Sequence, residues 1–298
     1  MAVNTTVHID ERHKIKESHW LTDLIKTILL YIPLIIWTII TCFPFWYMLV
    51  VSTRSAGDIF SFPPPLALKP NFIDQFIINY NNLISRTYYW RNLFNSVYIS
   101  TMTTLLGTFL CSLAGYGFAM YRFKGRNVLF SLMLFTLMVP QTINIIPYFI
   151  MMKTFGWIST ARAMYLPAAA SAFGIFLMRQ YIMTSIQQDL VEAARVDGCS
   201  EFGIYWRIVL PLITPIIGSY GIITFLNQWN NYMTALVVLK DPKSYTVPLA
   251  LGSLVGMQSV DYGAIMVGTV ISVFPLLIMF IFMSKMIISK VTEGALKE

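Results

Sequence analysis

Charge is missing from long stretches of this 298-residue chain, and those gaps limit what it can fold into. The charge-free intervals are 27–53, 92–121, 127–152, 163–178, 208–239, 244–260 and 262–284. A bilayer span takes about 20 consecutive, mostly apolar residues. Six intervals therefore read as transmembrane helices, at 27–51, 93–120, 128–152, 163–184, 208–229 and 263–285. The fourth runs past Arg179, whose stem can lie in lipid while its head reaches the surface. The interval 244–260 is short and interrupted by Pro248, Gly252 and Gly256, which favours an outer re-entrant or interfacial segment over a seventh span. Composition agrees, because 12% charged residues is about half of what a soluble domain carries. Hydrophobic residues at 56% exclude a disordered chain. The expected fold class is all-α, a polytopic membrane protein with six transmembrane helices. Three parts follow: an N-terminal tail 1–26, a transmembrane domain 27–288 and a C-terminal tail 289–298.

Six spans put both termini on one side. That side holds thirteen of the 21 basic residues, including Arg122, Lys124 and Arg126 in the short 121–127 loop, against eight on the other. Basic residues collect on the cytoplasmic side, so both termini are expected to be cytoplasmic. The net charge of +7 comes without a basic cluster and does not point to nucleic acid.

Several chemistries are excluded. All three histidines, His8, His13 and His19, lie in the N-terminal tail, and Cys42, Cys111 and Cys199 are far apart. Neither a metal centre nor a disulfide framework is indicated, and no catalytic residues are expected. All fourteen acidic residues fall outside the six spans. A self-sufficient ion-coupled carrier usually keeps an ionisable group inside its bundle. This distribution points instead to an energy source in another subunit, with an ion-coupled secondary carrier or a channel subunit as the rival reading.

The acidic residues Asp189, Glu192, Asp197 and Glu201 gather in the cytoplasmic loop 185–207. An amphipathic helix is predicted over 186–196, with Leu190, Ala193, Ala194 and Val196 as its apolar face. Asp197-Gly198 ends it, and Ser200 N-caps a second short helix. From these residues alone the loop is either a solvated connector or a knob that fills a groove on a partner.

Glu192-Ala193-Ala194, then Gly198, then Ile208-Val209-Leu210-Pro211 resemble the EAA motif of permease subunits of bacterial ABC transporters that import nutrients. AGYGFAMYRFKGRN (114–127), IPYFIMMKTFGW (146–157), QWNNYMTALVVL (228–239), YTVPLAL (245–251) and TEGALKE (292–298) are similar to the carbohydrate importers, in particular the maltose-type second permease. The resemblance implies the ABC importer type I permease fold in the bacterial plasma (inner) membrane. It also implies a second homologous permease forming a heterodimer, two cytosolic ATPase subunits and an extracytoplasmic solute-binding protein. The loop would then be the coupling helix, with Glu192, Ala193, Ala194, Asp197, Gly198, Leu210 and Pro211 as its coupling residues. The chain has no G-x-x-x-x-G-K-[ST] motif; no cofactor is expected on it, and ATP and Mg belong to the ATPase subunits. The segment Thr292–Glu298 is either a frayed tail or a contact with those subunits.

Polar side chains within spans are the substrate-pathway candidates, because they are costly against lipid. Gln141 and Asn144 follow Pro140; Asn227, Gln228, Trp229, Asn230 and Asn231 close the outer end of the fifth span. Amides beside aromatics suit a carbohydrate, which the family resemblance implies is an oligosaccharide, although interhelical hydrogen bonding explains the same residue types. An excess of basic over acidic residues in the outer loops leaves room for an acidic saccharide. Gly107, Ser112, Ala114, Gly115, Gly117 and Ala119 in the second span are read as helix-packing residues, and Asn95 as structural.

Overall fold

The computed structural model describes the backbone of residues 5–256 and 260–295, and the side chains of 24–140, 142–256 and 260–285. Among the described residues all regular structure is helical. In chain order, α1 (Thr5–Ser52) leads through α2 (Ala56–Ile59) to α3 (Phe72–Arg86) and the long α4 (Tyr89–Met120). Next come α5 (Arg126–Phe135), two 3-10 turns, Thr136–Met138 and Gln141–Asn144, and α6 (Ile145–Thr154). After α7 (Arg162–Ala169) and α8 (Ala172–Ser185) come α9 (Gln188–Val196), α10 (Glu201–Ile204), a π-helical turn Tyr205–Val209 and α11 (Leu210–Leu212). The chain ends with α12 (Thr214–Trp229), α13 (Tyr232–Val238), α14 (Val247–Val255) and α15 (Tyr262–Ala295).

Among the described residues, three helical stretches are long and apolar enough to cross a membrane, Leu24–Ser52, Tyr89–Met120 and Tyr262–Lys285; counting each of two bent pairs as one span raises the number to five. The expected third span is one such pair, Arg126–Met138 and Thr142–Thr154, turned by 89°. Pro140 causes the break, since a residue before proline is driven into extended backbone, and Val139 sits at φ −81, ψ 119. The expected fifth span also breaks. Glu201–Leu212 stands at 78° to Thr214–Trp229, across Ile213, with Pro211 and Pro215 on either side. The span proper thus begins at Thr214, and the segment before it lies across the end of the bundle. The expected fourth span is divided between α7 and α8, where Ser171 caps the second piece by accepting from the Gly174 N–H (3.2 Å). α1 extends back to Thr5, through the segment expected as the N-terminal tail.

Contacts fix how the helices run. Asn79 of α3 donates to the carbonyls of Ser52 and Arg54 (2.8 and 2.9 Å) and packs against Gly263, so the end of α1 meets the start of α15. These two helices are antiparallel, and the start of α4 joins the same end through the Tyr89 hydroxyl, which donates to the Gly268 carbonyl. Lys240 and Lys243 lie at this end as well, tied to Ser159 and Asn95. The opposite end carries Arg126, bonded to the Tyr121 carbonyl, and Arg179, bonded to the Phe118 carbonyl. Arg126 and Arg179 thus stand at the opposite end of the bundle from Lys240 and Lys243.

The outer segment 244–260 contains α14, nine residues long, or about 13 Å at 1.5 Å per residue. Leu249, Ala250, Leu251 and Leu254 are buried, and the Val247 N–H donates to the Ser96 hydroxyl (2.7 Å). Residues 257–259, the side chain of Gln141 and the side chains of Thr292–Glu298 lie outside the described residues. The first outer loop also contains an amphipathic helix, α3, which the charge-free intervals do not reveal.

α4 is the central element, and α8 crosses it closely. Gly115 lies where an added Cβ would stand 2.7 Å from the Met178 Cβ and 2.9 Å from the Arg179 nitrogen; at Gly107 the nearest atom, the Ala169 oxygen, is at 3.6 Å. Gly117 has open space instead, so the row of small residues is not all packing surface. At the start of α4, Asn92 donates to the Pro242 and Tyr245 carbonyls (2.9 and 3.1 Å), and Asn95 to those of Lys243 and Tyr245 (3.0 Å each). A buried carbonyl left without a donor costs about 1–3 kcal/mol. Tyr245 keeps one donor in either single alanine variant and loses both in Asn92→Ala/Asn95→Ala. The double variant is therefore expected to lower the unfolding temperature in detergent by more than the sum of the two singles.

Candidate functional site

The loop between α8 and α12 is where local sequence dictates an outward-facing structure. α9 begins after Gln187 and ends in a Schellman turn: the Gly198 N–H donates to the Arg195 carbonyl and the Cys199 N–H to the Ala194 carbonyl, both at 3.0 Å. Such a turn needs a left-handed residue, which glycine supplies without penalty, and Gly198 has φ +79. Ser200 then caps α10 by accepting from the Gly203 N–H (3.2 Å).

Amphipathicity divides the loop into an inner and an outer face. Val191, Ala194, Ile204, Tyr205 and Val209 form one buried cluster with Ile182, Ile186, Ile213 and Tyr116 of α4. The predicted face is therefore rotated: Leu190, Ala193 and Val196 are exposed, Val196 to 88%, while Ala194 is 7% exposed and packs inward. Asp189, Glu192, Ala193 and Val196, at helical spacing, make an exposed stripe along α9. Beside the stripe, Asp197, Gly198, Cys199, Ser200, Phe202 and Trp206 border an open hollow of about 450 Å³. Phe202 and Trp206 are exposed and stacked on each other (centroids 6.1 Å apart, planes at 19°). Glu192 receives one hydrogen bond from Gln188 (2.6 Å). Leu210 and Pro211 lie away from this face, one turn before the break at Ile213.

A polar knot absent from the predicted site joins the loop to α4. Glu201 Oε1 accepts from Arg195 Nε (2.7 Å); Glu201 Oε2 accepts from Arg195 Nη2 (3.3 Å), the Tyr121 hydroxyl (2.5 Å) and the Tyr116 hydroxyl (3.3 Å). The Arg195 guanidinium also lies over the Tyr121 ring, 5.6 Å from its centroid. Hydrogen bonds from Arg195 and then Tyr121 hold the Glu201 carboxyl below its ordinary range, and the Glu201 carboxylate raises Arg195. Burial, then the bond to Glu201, pushes the Tyr121 phenol up. The sequence signal was the Tyr116/Tyr121 pair in the 114–127 motif, but its partner is 80 residues away from Tyr121.

Among the described residues, the pathway candidates have differing surroundings. Trp229 is 4% exposed and stacks on Phe225 (5.8 Å, 17°). Asn231 caps α13 by accepting from the Thr234 N–H (3.2 Å), and Asn230 donates to the Leu226 carbonyl (2.9 Å). Asn144 and Asn227 are exposed. Gln228 is buried and donates to the Met164 carbonyl (3.4 Å). No cluster of metal-binding side chains occurs among the described residues.

Comparisons with known proteins agree with this architecture. Residues 107–293 match a family described as "Binding-protein-dependent transport system inner membrane component". The arabinooligosaccharides transport system permease protein AraQ of Bacillus subtilis (strain 168) is 34% identical over 256 residues, covering 86% of this chain and 90% of the relative. The lactose transport system permease protein LacG of Rhizobium radiobacter is 33% identical over 246 residues, covering 83% and 88%. Among solved structures, a chain of a bacterial ABC transporter involved in the import of the acidic polysaccharide alginate aligns with TM-score 0.71 and 21% identity. That alignment covers 89% of this chain and 97% of the other, and it establishes the shared fold.

Proposed function

Since this chain belongs to the binding-protein-dependent transport system inner membrane component family, we propose that it is the permease subunit of an ATP-driven importer whose cargo is an oligosaccharide. The observation that carries the mechanical part is the exposed stripe Asp189, Glu192, Ala193 and Val196 beside the hollow at Gly198, on a loop whose inner face is fully packed. Such a surface is built to be covered by another protein. A cytosolic ATPase is the occupant proposed here, with Glu192 meeting a basic residue of its groove and Gly198 setting the turn that enters it.

The remaining partners follow from what this subunit exposes. The apolar stretch Leu24–Ser52 contributes no buried residues to its most apolar window, so lipid and a second homologous permease together cover it. A heterodimer of permeases would enclose the pathway at their junction, which suits the exposed Asn144 and Asn227 better than Trp229, Asn230 or Asn231, already engaged in packing and capping. In the bacterial plasma membrane both chain termini and the coupling loop would face the cytoplasm, and a solute-binding protein would dock at the other end. The oligosaccharide reading rests on the arabinooligosaccharide and lactose relatives. An acidic saccharide is the finer alternative, motivated by the basic outer loops. ATP and Mg would act only on the ATPase subunits.

The test is reconstitution of the four-subunit complex in liposomes with a panel of binding proteins loaded with neutral or uronic-acid saccharides. One loaded binding protein is expected to stimulate ATP hydrolysis and drive uptake. Uptake by this chain alone, driven by an ion gradient without ATP, would establish the secondary-carrier reading instead.

A further inference from the structure

Glu201 stands at a junction of three elements that the coupling surface itself does not explain. Its side chain is 44% exposed, and its carboxylate ties α9, through Arg195, to α10, of which it is the first residue. The Arg195–Glu201 pair therefore bridges the Gly198 turn and fixes the angle between the two helices. The same carboxylate accepts from Tyr121 and Tyr116, which hold the last turn of α4 and the start of the 121–126 connection. Tyr116 continues the contact inward by packing on Tyr205 (5.7 Å), whose hydroxyl is 2.8 Å from the Ser112 hydroxyl of α4.

We propose that Glu201 is a positioning residue that fastens the coupling loop to α4, so that displacement of the loop by a docked ATPase is carried into the central helix. This rests on the importer reading above and adds to it the route by which force leaves the loop. Geometry favours transmission over a simple surface ion pair. One carboxylate takes four hydrogen bonds from three side chains, two of them 74 and 79 residues away from Arg195 in sequence. A bidentate arginine fork also resists rotation in a way a point charge does not. Loosening the knot should let the loop move with the ATPase while α4 lags behind.

The test is the number of ATP molecules hydrolysed per saccharide imported, in the reconstituted complex, for wild type, Glu201→Gln and Tyr121→Phe. A residue needed only for stability would lower hydrolysis and uptake together and leave their ratio unchanged. The proposal expects both variants to assemble and the ratio to rise, by about tenfold for Glu201→Gln, which forfeits a charge-assisted interaction, and by less for Tyr121→Phe. Arg195→Lys should fall between wild type and Glu201→Gln, because a point charge replaces the fork. An unchanged ratio in Glu201→Gln overturns the proposal. If Glu201→Gln fails to assemble, Tyr121→Phe, which removes one hydroxyl and leaves the ion pair intact, decides by the same criterion. Wild-type complex that imports without ATP would overturn the importer reading itself, a result distinct from an unchanged ratio in a coupled transporter.

Discussion

Gly198→Val is expected to abolish ATP-driven saccharide uptake while the chain still inserts and accumulates. No atom lies within 4 Å of a Cβ added at Gly198, so the substitution meets no packing obstacle. Its whole cost is in the backbone. A left-handed residue with a side chain costs about 1–2 kcal/mol relative to glycine, and a β-branched one more. At φ +79 the cheaper outcome is to abandon the turn, which breaks the hydrogen bonds from Gly198 and Cys199 and separates Arg195 from Glu201. The exposed stripe and the hollow then no longer share one orientation. Uptake in liposomes, together with recovery of the ATPase on purification, reads this directly. Gly198→Asn should be milder, since asparagine tolerates the left-handed region. Normal uptake by the valine variant would sink the coupling assignment.

Gly115→Leu is expected to prevent accumulation of folded protein. Two of the atoms nearest a Cβ there are backbone atoms of α8, the Arg179 nitrogen at 2.9 Å and the Met178 carbonyl carbon at 3.2 Å, which cannot yield as a flexible side chain would. Overpacking a close crossing costs about 1–3 kcal/mol, sometimes more, and leucine adds three carbons beyond the Cβ. Separating α4 from α8 also moves α9, which follows α8 after two residues. Gly117→Ala, two residues away with open space around it, should accumulate as wild type. Fluorescence-detected gel filtration of the two variants compares them, and a folded, monodisperse Gly115→Leu protein would contradict the crossing described here.

What the sequence made legible follows from which forces act locally. Charge-free length located the long helices well: 93–120 was expected against Tyr89–Met120, and 263–285 against Tyr262–Lys285. Breaks were harder, because proline is ambiguous inside lipid. Pro33, Pro44, Pro167 and Pro275 sit within continuous helices, whereas Pro140 and the pair around Ile213 accompany sharp turns. Whether a freed carbonyl finds another donor depends on neighbouring helices that the sequence does not reveal. The Gly198 turn was readable because a positive φ leaves a chemical signature. The rotated face of α9 was misjudged because Val191, an inward residue, was left out of the pattern in favour of its exposed neighbour Leu190. Glu201 was invisible as a junction because Tyr116 and Tyr121 reach it only after α4 and α10 have packed.

The bend at Ile213 also sets a mechanical scale. Glu201–Leu212, at 1.5 Å per residue, is an arm of about 18 Å set at 78° to α12. With a fulcrum at the fully buried Ile213, a swing of about 10° would sweep the far end through about 3 Å on this same helical rise. A sideways push at that end becomes a change of tilt in the span beyond the fulcrum. Such an arm would act as a crank, trading travel at its far end for rotation of α12.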